Sequence, residues 1–512
     1  MLAPHVLSIA ACLLLTLPGV HSQSSNTTNS SDATTIYLQG GTIVTYNPAT
    51  SSIDILRNSS ILIADGEIVS VGETPSPDVL ASAEIVNVVG KIISPGFIDT
   101  HRHDWQTAYK TMASNTSLVE YFQRYGEFSP TALSFTAEDV YINQLYGLYE
   151  ALNSGTTTTL DHASHTWSKE TSKAGLQASV DSGARVLWTY AIHELGDAFT
   201  IDEQFQDLEE LANDAEGLWT GTATNVGLAY DRIPFGPAAE VQRAFKLAND
   251  LKLSVITAHH VGGPYGYGRV IQVAESYSVL NSTVPIVFSH SSSLTQDEAV
   301  LLRKYDQFVS ITPESEHHYG HDHPNSYHIQ DQSSLGVDTH FTFSSDIITQ
   351  ARLWLQATRL RLYRKSLEAF KAPLNNPMSH NQAFILATYN GARSLRREDI
   401  GIIAPGAKAD IVVIDGESPN MLGWKDPVGA LILHSNVGDI EHVIVDGKFK
   451  KRDGKLLVDF EATKERFMAS VQKIQSFIQD RDWPVLEGEY SEGILYGMTD
   501  TVDVLRGDGN GY

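Results

Sequence analysis

The residues of this sequence best suited to chemistry are histidines and an aspartate that directly follow strand-like apolar runs. His101 and His103 form a His-x-His pair behind the run PGFIDT at 95–100. On an extended segment, residues two apart place their side chains on the same side of the chain. Both imidazoles can then bind one divalent ion, because imidazole nitrogen is a common metal ligand. The pair therefore predicts a metal site at the end of a strand.

Three more strand-like runs end in polar side chains. These are His259 and His260 after LSVITA, His290 after PIVFS, and Asp346 after HFTFSS. Nitrogen and oxygen donors without sulfur suit Zn²⁺, and Fe²⁺ or Mn²⁺ are the alternatives. Since adjacent residues on a strand point in opposite directions, only one of His259 and His260 should reach such an ion.

Other polar residues near predicted strand ends are candidates for contacts to a substrate or to the metal ligands. His165 follows the run TTTTLDHA, and Glu314 and Glu316 lie in the segment TPESEHHYGHDHP. Either carboxylate could handle a proton, and the segment could support the metal-binding histidines. The alternatives are a structural histidine and a solvated acidic loop, and the sequence leaves both open.

The middle of the chain, residues 95–401, alternates strand-like runs with helical ones such as AEDVYINQLYGLYEALNSG and TQDEAVLLRKY. Repeated units of this length imply parallel strands. They predict an α/β fold, a (β/α)8 TIM barrel with its chemistry at the carboxyl ends of the strands. An open doubly wound sheet is the alternative, but no Gly-x-Gly-x-x-Gly follows the first strand. The eight strand-like runs are IISPGFID, TTTTLDH, ARVLWTYAI, NVGLAY, LSVITAHH, PIVFSHSS, FVSITPE and HFTFSSD.

Both flanks of this middle region are β-rich. Residues 35–94 contain short runs of alternating apolar residues, with a hairpin signal at the Asp-Gly of 65–66. Residues 402–458 contain similar runs, ADIVVIDGE, ALILHS and IEHVIVDGKFKKRDGKLL. We therefore predict that the two segments form one small β-sandwich domain, into which the barrel is inserted. Residues 459–512 are expected to be a helical extension and tail, with an amphipathic helix over 461–483.

The composition favours a globular protein that acts on small molecules. The chain has 512 residues, with 36 Lys plus Arg against 61 Asp plus Glu, and a formal net charge of −25. Such an acidic protein lacks the basic face that nucleic acid needs. No run after the first residues is long and apolar enough to span a membrane. The expected partner is a small-molecule substrate, and the composition is compatible with a homo-oligomer.

The first residues have the pattern of a secretory signal. An apolar run at 6–19, followed by small residues, predicts a signal peptide over 1–22, and a Ser/Thr/Asn-rich spacer over 23–34 is expected to be disordered. Removal of the signal removes Cys12, the one cysteine, so that no disulfide and no thiolate ligand remain. We therefore expect a secreted, extracellular glycoprotein. Its glycosylation sequons are at Asn26, Asn29, Asn58, Asn115 and Asn281.

Together these motifs resemble the amidohydrolase superfamily, specifically its branch of cytosine deaminases and triazine chlorohydrolases. The resemblance extends over nearly the whole mature chain. Its most specific part is PGFIDTHRH combined with the closing pattern Gly-x-x-Ala-x-Gly-x-x-Ala-Asp-Ile-Val-Val-Ile-Asp. The motifs that carry it are GGTIVT, ADGEIVSVG, PGFIDTHRH, SGTTTTLD, FSSD and GIIAPGAKADIVVID.

The resemblance implies a metal-dependent hydrolase and a role for each matching residue. His101 and His103 would be metal ligands from the first strand, and His260, with His259 as the alternative, the ligand from the fifth. Asp346 would be the ligand of the eighth strand and the catalytic proton carrier, and His290 would act beside it. No lysine ends the fourth strand, so one metal ion is expected rather than two bridged by a carbamylated lysine. The implied reaction is hydrolysis of a carbon–nitrogen bond other than a peptide bond, by water that the ion activates.

One departure from the family pattern leaves the substrate open. Cytosine-deaminase-like members carry a glutamate three places after the strand-five histidine, but here His260 is followed by Val-Gly-Gly at 261–263. Hydrolytic dehalogenation or cleavage of a carbon–oxygen bond is therefore an alternative reaction on the same scaffold. A second alternative is a metal-containing extracellular glycoprotein that binds a ligand without turnover.

Overall fold

The computed structural model describes residues 35–323 and 325–502. Five β-strands come first in this range. They are β1 (Ile36–Asn47), β2 (Ser52–Ala64), β3 (Glu67–Val71), β4 (Glu84–Asn87) and β5 (Ile92–Pro95), with the short helix α1 (Pro77–Ser82) before β4. The predicted turn joins β2 to β3, with φ of 53° at Asp65 and 81° at Gly66. Two left-handed residues are what the tight hairpin turn requires. The predicted signal peptide 1–22 and spacer 23–34 lie outside the described residues.

Eight parallel strands follow and curl into a nearly closed ring. In spatial as well as chain order they are β6 (Phe97–Arg102), β7 (Thr156–Ala163), β8 (Arg185–Ala191), β9 (Asn225–Ala229), β10 (Ile256–His260), β11 (Ile286–His290), β12 (Phe308–Ile311) and β13 (Ser333–Leu335). The last strand returns to the first at Thr100, whose hydroxyl lies 2.8 Å from Ser334 Oγ and donates to the Leu335 carbonyl at 2.9 Å. The predicted TIM barrel is confirmed.

Helices separate most of these strands and cover the ring. Two predicted helices begin at capping boxes, in which Thr136 pairs with Asp139 and Thr295 pairs with Glu298. Such boxes satisfy the free N–H groups of a first helical turn. After α1, the helices of the described residues are α2 (Leu118–Arg124), α3 (Ala137–Asn153), α4 (Lys169–Ser182), α5 (Ile201–Asn213), α6 (Ala238–Asp250), α7 (Val270–Ser276), α8 (Gln296–Tyr305), α9 (Pro313–His318), α10 (Ile347–Glu368), α11 (His380–Ala387), α12 (Tyr389–Ser394), α13 (Pro427–Leu433) and α14 (Phe460–Gln479).

After the barrel the chain returns to the first sheet. Strands β14 (Ile411–Ile414), β15 (Ile440–Val445), β16 (Lys448–Arg452) and β17 (Lys455–Leu456) extend β1–β5 to nine strands. The junction is the antiparallel pair β14–β5, in which Val413 faces Ile93. A separate core of apolar residues from both ends of the chain, including Ile63 and Ile444, fills this domain. The predicted β domain built from both flanks is confirmed. The short strands β18 (Glu489–Ser491) and β19 (Ile494–Leu495) form a hairpin of their own.

Two predicted strands are wrong. The segment HFTFSSD is not the eighth barrel strand; that strand is Ser333–Leu335, which is short and polar and therefore gives almost no apolar signal. The segment ALILHS lies mostly in helix α13, because Asp426 caps a helix that begins at Pro427. A proline at the first helical position behind an Asp cap is a strong helix start.

A buried ion pair joins the barrel to the β domain. The guanidinium of Arg185, at the start of β8, donates to both carboxylate oxygens of Asp410 at 2.6 and 3.0 Å. Asp410 directly precedes β14.

No helix among the described residues has the length and apolar character needed to cross a lipid bilayer.

Candidate metal centre and active site

The His-x-His pair lies at the mouth of the barrel and converges on an aspartate. Nε2 of His101 and Nε2 of His103 each lie 3.4 Å from Oδ1 of Asp338, which follows β13. A shift in the pairing register between β6 and β7 falls between Asp99 and Arg102, directly around His101. Such bulges redirect side chains beside functional sites.

His259, at the end of β10, completes the group from the fifth strand. Its ring centroid lies 4.9 Å from that of His101, and its ring is stacked on His103 at 5.4 Å. Residues two apart on a strand share a face, and Val255, four positions earlier, packs in the barrel interior with Val287 of β11. His259 therefore faces the interior side of the ring.

His290 comes from the sixth strand through an unusual backbone conformation. Its φ is 69°, in the left-handed region that non-glycine residues rarely adopt. Its ring centroid lies 5.1 Å from that of His101 and 5.6 Å from that of His259. Nδ1 of His290 lies 2.8 Å from Thr312 Oγ1, and Glu316 Oε1 stands behind it at 3.5 Å.

The imidazoles of His101, His103, His259 and His290 are each held through Nδ1. The partners are Ser289 Oγ for His101 (2.8 Å), the His162 carbonyl for His103 (3.0 Å), Asp231 Oδ2 for His259 (2.8 Å) and Thr312 Oγ1 for His290 (2.8 Å). Nε2 of His101 is buried and has no hydrogen-bond partner among the described residues. Histidines fixed through one nitrogen with the other free are the usual arrangement of metal ligands. The donor set fits a divalent ion.

Two sequence-predicted members of the site lie elsewhere. His260 is fully buried on the opposite side of β10, with Nδ1 3.1 Å from Ser291 Oγ and Nε2 3.5 Å from Glu298 Oε1. Asp346 caps α10, where its Oδ1 accepts the Thr349 N–H at 2.7 Å. The prediction that His260 and Asp346 join the His-x-His pair is therefore wrong. His260 points away from the barrel interior, because neighbouring residues on β10 point in opposite directions. Asp346 was predicted to end the eighth barrel strand, but HFTFSSD forms no strand.

The weaker candidates divide between support and structure. His165 is buried against α4, where its ring fills the space beside Gly175, and Trp188 Nε1 donates to it at 3.4 Å. Glu314 accepts from Gln350 Nε2 at 3.0 Å and does not line the cavity described below. Glu316 is buried behind His290 and also bonds His323, so it orients the cluster from outside.

Sequence reasoning missed three members of the cluster: Asp338, Asp231 and His162. Asp231 Oδ2 lies 2.8 Å from His259 Nδ1 and 3.3 Å from His162 Nε2. His162 and Asp231 could have been found from the sequence, because His162 ends the predicted strand TTTTLDH and Asp231 directly follows NVGLAY. Asp338 ends SSLGVD, a segment too polar to be recognised as a strand.

Burial and neighbouring charges shift the pKa values of Asp231 and of the imidazoles around it. Burial by itself would raise the pKa of Asp231, but His259 and His162 lower it well below its usual range. Burial likewise opposes protonation of His259, yet Asp231 raises the pKa of His259 to about 9. The pKa of His101 is well below normal because of its burial and its neighbours His259 and His290. The carboxylate is thus anionic, and His101 is neutral, as a metal ligand must be. His259 carries a proton when no ion is bound, and a bound cation would have to displace that proton.

The cluster forms the floor of a cavity of about 360 Å³. Its walls are largely aromatic, and Tyr490 of the β18–β19 hairpin closes part of the rim. The aromatic wall residues are Tyr121, Phe122, Phe128, Tyr267, Tyr319 and Tyr490. A side cavity of about 230 Å³ adjoins it at Glu127 and Asp231. A larger groove of about 640 Å³ runs along α10, but it shares only His321 with this cavity and contains no member of the cluster.

Comparison with known proteins shows which family the chain matches. The sequence profile of the amidohydrolase family matches residues 92–450. The chain is 25% identical over 429 residues to a 5-methylthioadenosine/S-adenosylhomocysteine deaminase of Desulfitobacterium hafniense, covering 80% of this chain and 92% of the relative. It is 24% identical over 421 residues to a 5′-deoxyadenosine deaminase of Methanothermobacter thermautotrophicus, covering 79% and 91%.

Solved structures share the fold. A zinc-bound adenosine deaminase from Xanthomonas campestris superimposes with a TM-score of 0.72 at 19% identity, covering 87% of this chain and 99% of that one. A zinc complex of atrazine chlorohydrolase from Arthrobacter aurescens gives 0.73 at 18% identity, covering 85% and 100%.

The fold and the histidine cluster define a metal-dependent hydrolase built on a TIM barrel. The chain belongs to the amidohydrolase family. It is an enzyme of the amidohydrolase type, a hydrolase of carbon–nitrogen bonds other than peptide bonds.

Proposed function

We propose that this protein is a single-metal deaminase that releases ammonia from a heteroaromatic amine, with an aminopurine nucleoside as the first candidate substrate. The observation that carries the proposal is the convergence of Nε2 of His101 and His103 on Asp338 Oδ1 at the floor of an aromatic cavity. The names of the adenosine-type deaminases among its relatives support the choice of substrate.

The metal ligands in this proposal are His101, His103, His259 and Asp338. Three imidazole nitrogens and one carboxylate oxygen suit zinc, the metal named in two structural neighbours. When bound, such an ion supplies Lewis acidity, which brings the pKa of water down toward neutrality. No lysine ends β9, so one ion is proposed.

The chain's own residues handle the proton and the oxygen. Water adds to the ring carbon that carries the amino group, and its proton passes to the Asp338 carboxylate. The same proton then moves to the amino nitrogen, which leaves as ammonia when the carbon–nitrogen bond breaks. The second proton of the water moves from the oxygen to the adjacent ring nitrogen, which gives the carbonyl product. His290, fixed through Nδ1 by Thr312, offers its other nitrogen to the oxygen that develops charge. Asp338 takes the proton-carrying role first assigned to Asp346.

The experiment is a substrate panel assayed for ammonia with zinc-reconstituted protein. Adenosine, 5′-deoxyadenosine, 5-methylthioadenosine, guanine, cytosine and an aminotriazine are incubated with the wild type and with Asp338→Ala. We expect ammonia from at least one aminopurine, with the rate reduced by about 10² or more in the variant. A chlorotriazine is assayed beside the panel, and release of chloride from it without ammonia from any amine would favour the dehalogenase alternative. Binding without turnover of any compound would favour the non-catalytic alternative.

We also propose that the protein is secreted and glycosylated. Three of the predicted sequon asparagines, Asn58, Asn115 and Asn281, are exposed, as an oligosaccharide requires. Expression in a eukaryotic secretory host should give medium protein that begins near Gln23 and loses mass on treatment with an N-glycosidase. Cell-retained protein that still begins at Met1 would contradict the proposal.

A further inference from the structure

The active-site cavity is acidic for a site that binds a small molecule. Three carboxyl groups line it, those of Glu127, Asp231 and Asp338. Of the lining residues within 35–323 and 325–502, none is a lysine or an arginine. Apart from the proposed metal ion and the His259 imidazole, the cavity lining therefore offers no cation to a negatively charged ligand.

Glu127 is the carboxyl group of the three that is not paired with the metal-site histidines. The His193 imidazole lies beside it, with Nδ1 3.8 Å from Glu127 Oε1. Burial lowers the pKa of His193 to about 3, so this imidazole is neutral. The Glu127 side chain remains 21% exposed toward the cavity. Burial and the charge of Asp231 raise the pKa of Glu127 to about 8, as expected of a carboxyl that lacks a countercharge.

The guanidinium of Arg232, in the adjoining side cavity, is already neutralised. Arg232 lines the adjoining side cavity, but its Nε donates to Glu240 at 2.6 Å and its Nη1 lies 2.9 Å from Glu194. Releasing Arg232 for an anionic ligand would leave two carboxylates without their partner. Anionic groups thus gain nothing from this side of the site.

The aromatic wall adds a preference of its own. Phe128 and Tyr267 line both cavities together with Glu127, so a group that reaches this carboxyl also lies beside two aromatic rings. Ring faces attract cations and have no attraction for anions. Carboxyl and rings therefore favour the same kind of ligand.

Building on the proposed function, we infer that the site selects heteroaromatic amines whose distal substituent is uncharged or cationic, and that Glu127 is the specificity-determining residue. A carboxylate or phosphate on that substituent would be desolvated beside Glu127 without a partner. A distal ammonium would stabilise the ionised form of Glu127 and find a charge-assisted acceptor there, and a neutral N–H group would find an acceptor oxygen.

The test uses three ligands that differ only at the 5′ position: adenosine, 5′-amino-5′-deoxyadenosine and adenosine 5′-monophosphate. For zinc-loaded wild type, kcat/KM from ammonia release should be highest for the amine and at least about tenfold lower for the monophosphate than for adenosine. Glu127→Gln should lower the amine-to-adenosine ratio by about tenfold. Glu127→Lys should raise the relative rate of the monophosphate. Glu210→Gln is the matched control, because it removes one exposed carboxylate remote from the cavity.

The outcomes separate this inference from the proposed function. If none of the three nucleosides binds or releases ammonia, the proposed action on aminopurines is overturned, and the inference with it. If adenosine is deaminated but the monophosphate reacts equally well, only the inference is overturned. If all ratios are unchanged in Glu127→Gln while Glu127→Lys does not favour the monophosphate, Glu127 does not set the selection.

Discussion

Two adjacent histidines on β10 have opposite surroundings although both follow the same apolar run. His259 contacts the cluster and bonds Asp231, whereas His260 is buried against Glu298 of α8. Alternation along a strand forces this division, because only one of two neighbours can face the barrel interior. One residue therefore belongs to the site and the other to the packing around it.

Replacing each histidine by alanine should separate these roles. His259→Ala should weaken zinc binding by about tenfold or more, because a ligand is lost. His260→Ala should keep its zinc but lose about 1–3 kcal/mol of stability, because Oε1 of the buried Glu298 loses its imidazole partner. Metal analysis after dialysis and urea unfolding measure the two effects. Loss of zinc from His260→Ala with retention in His259→Ala would reverse the assignment.

A second matched pair tests the two aspartates near the end of the barrel. Asp338→Ala should reduce activity by about 10² or more with a folded protein, because the proton carrier is removed. Asp346→Ala should keep most of the activity and lose about 1 kcal/mol of stability, the usual effect of removing a helix cap. Ammonia release and thermal melting distinguish them. An inactive but fully stable Asp346→Ala protein would contradict this reading.

The sequence indicated which residue types could bind a metal ion better than it indicated which of them lie together in the fold. His101, His103 and His290 were identified because each ends a strongly apolar run. The choice between His259 and His260 depended on strand parity, which a run ending in two histidines does not reveal. Asp338 follows a three-residue polar strand, so no apolar signal marked it, and FSSD drew attention to Asp346 instead.

The β18–β19 hairpin is the element least supported by the rest of the fold. It pairs with no other sheet, and most of its residues are exposed. The segment before it is attached where Gln123 Nε2 donates to the Pro484 carbonyl at 2.8 Å. A two-stranded hairpin alone is marginally stable. It nevertheless brings Tyr490 to the rim of the cavity.

Shortening that side chain should affect substrate binding more than turnover. Tyr490→Ala should raise KM by about 2- to 10-fold with little change in kcat, because an aromatic contact worth roughly 0.5–1.5 kcal/mol is lost at the rim. Leu495→Ala on the same hairpin is the control, since this side chain is 69% exposed. Steady-state kinetics for both variants provide the measurement. Equal effects of the two substitutions would show that the hairpin matters only as a whole.

Helices with a strong amphipathic periodicity could be predicted from the sequence. Elements whose type depends on a helix cap or on a contact with a distant segment were harder to predict. The amphipathic pattern placed α3, α8 and α14 correctly within a few residues. ALILHS was misread because its apolar residues fit a strand, whereas the Asp426–Pro427 start decides for a helix. No periodicity indicated that a tail hairpin would reach the cavity.

For the molecule as a whole, one buried ion pair links the barrel to the β domain. Arg185→Ala should lower stability by about 3–5 kcal/mol, because it leaves the buried Asp410 carboxylate without its countercharge. Lys169→Ala, which breaks an exposed pair with Glu210, should cost no more than about 1 kcal/mol. Urea unfolding midpoints compare the two. Similar losses in both variants would mean that the Arg185–Asp410 pair does not hold the domains together.

The pairing of β5 with β14 has a consequence for biosynthesis. The strand β5 that leads into the barrel is paired on its outer edge by β14, the strand that follows the barrel, so the nascent chain exposes this edge of β5 until the residues from 411 onward emerge from the ribosome. Unpaired strand edges are templates for aggregation. Chains that stall or terminate inside the barrel are therefore expected to depend on chaperones and to be degraded, so that only nearly full-length translation products accumulate.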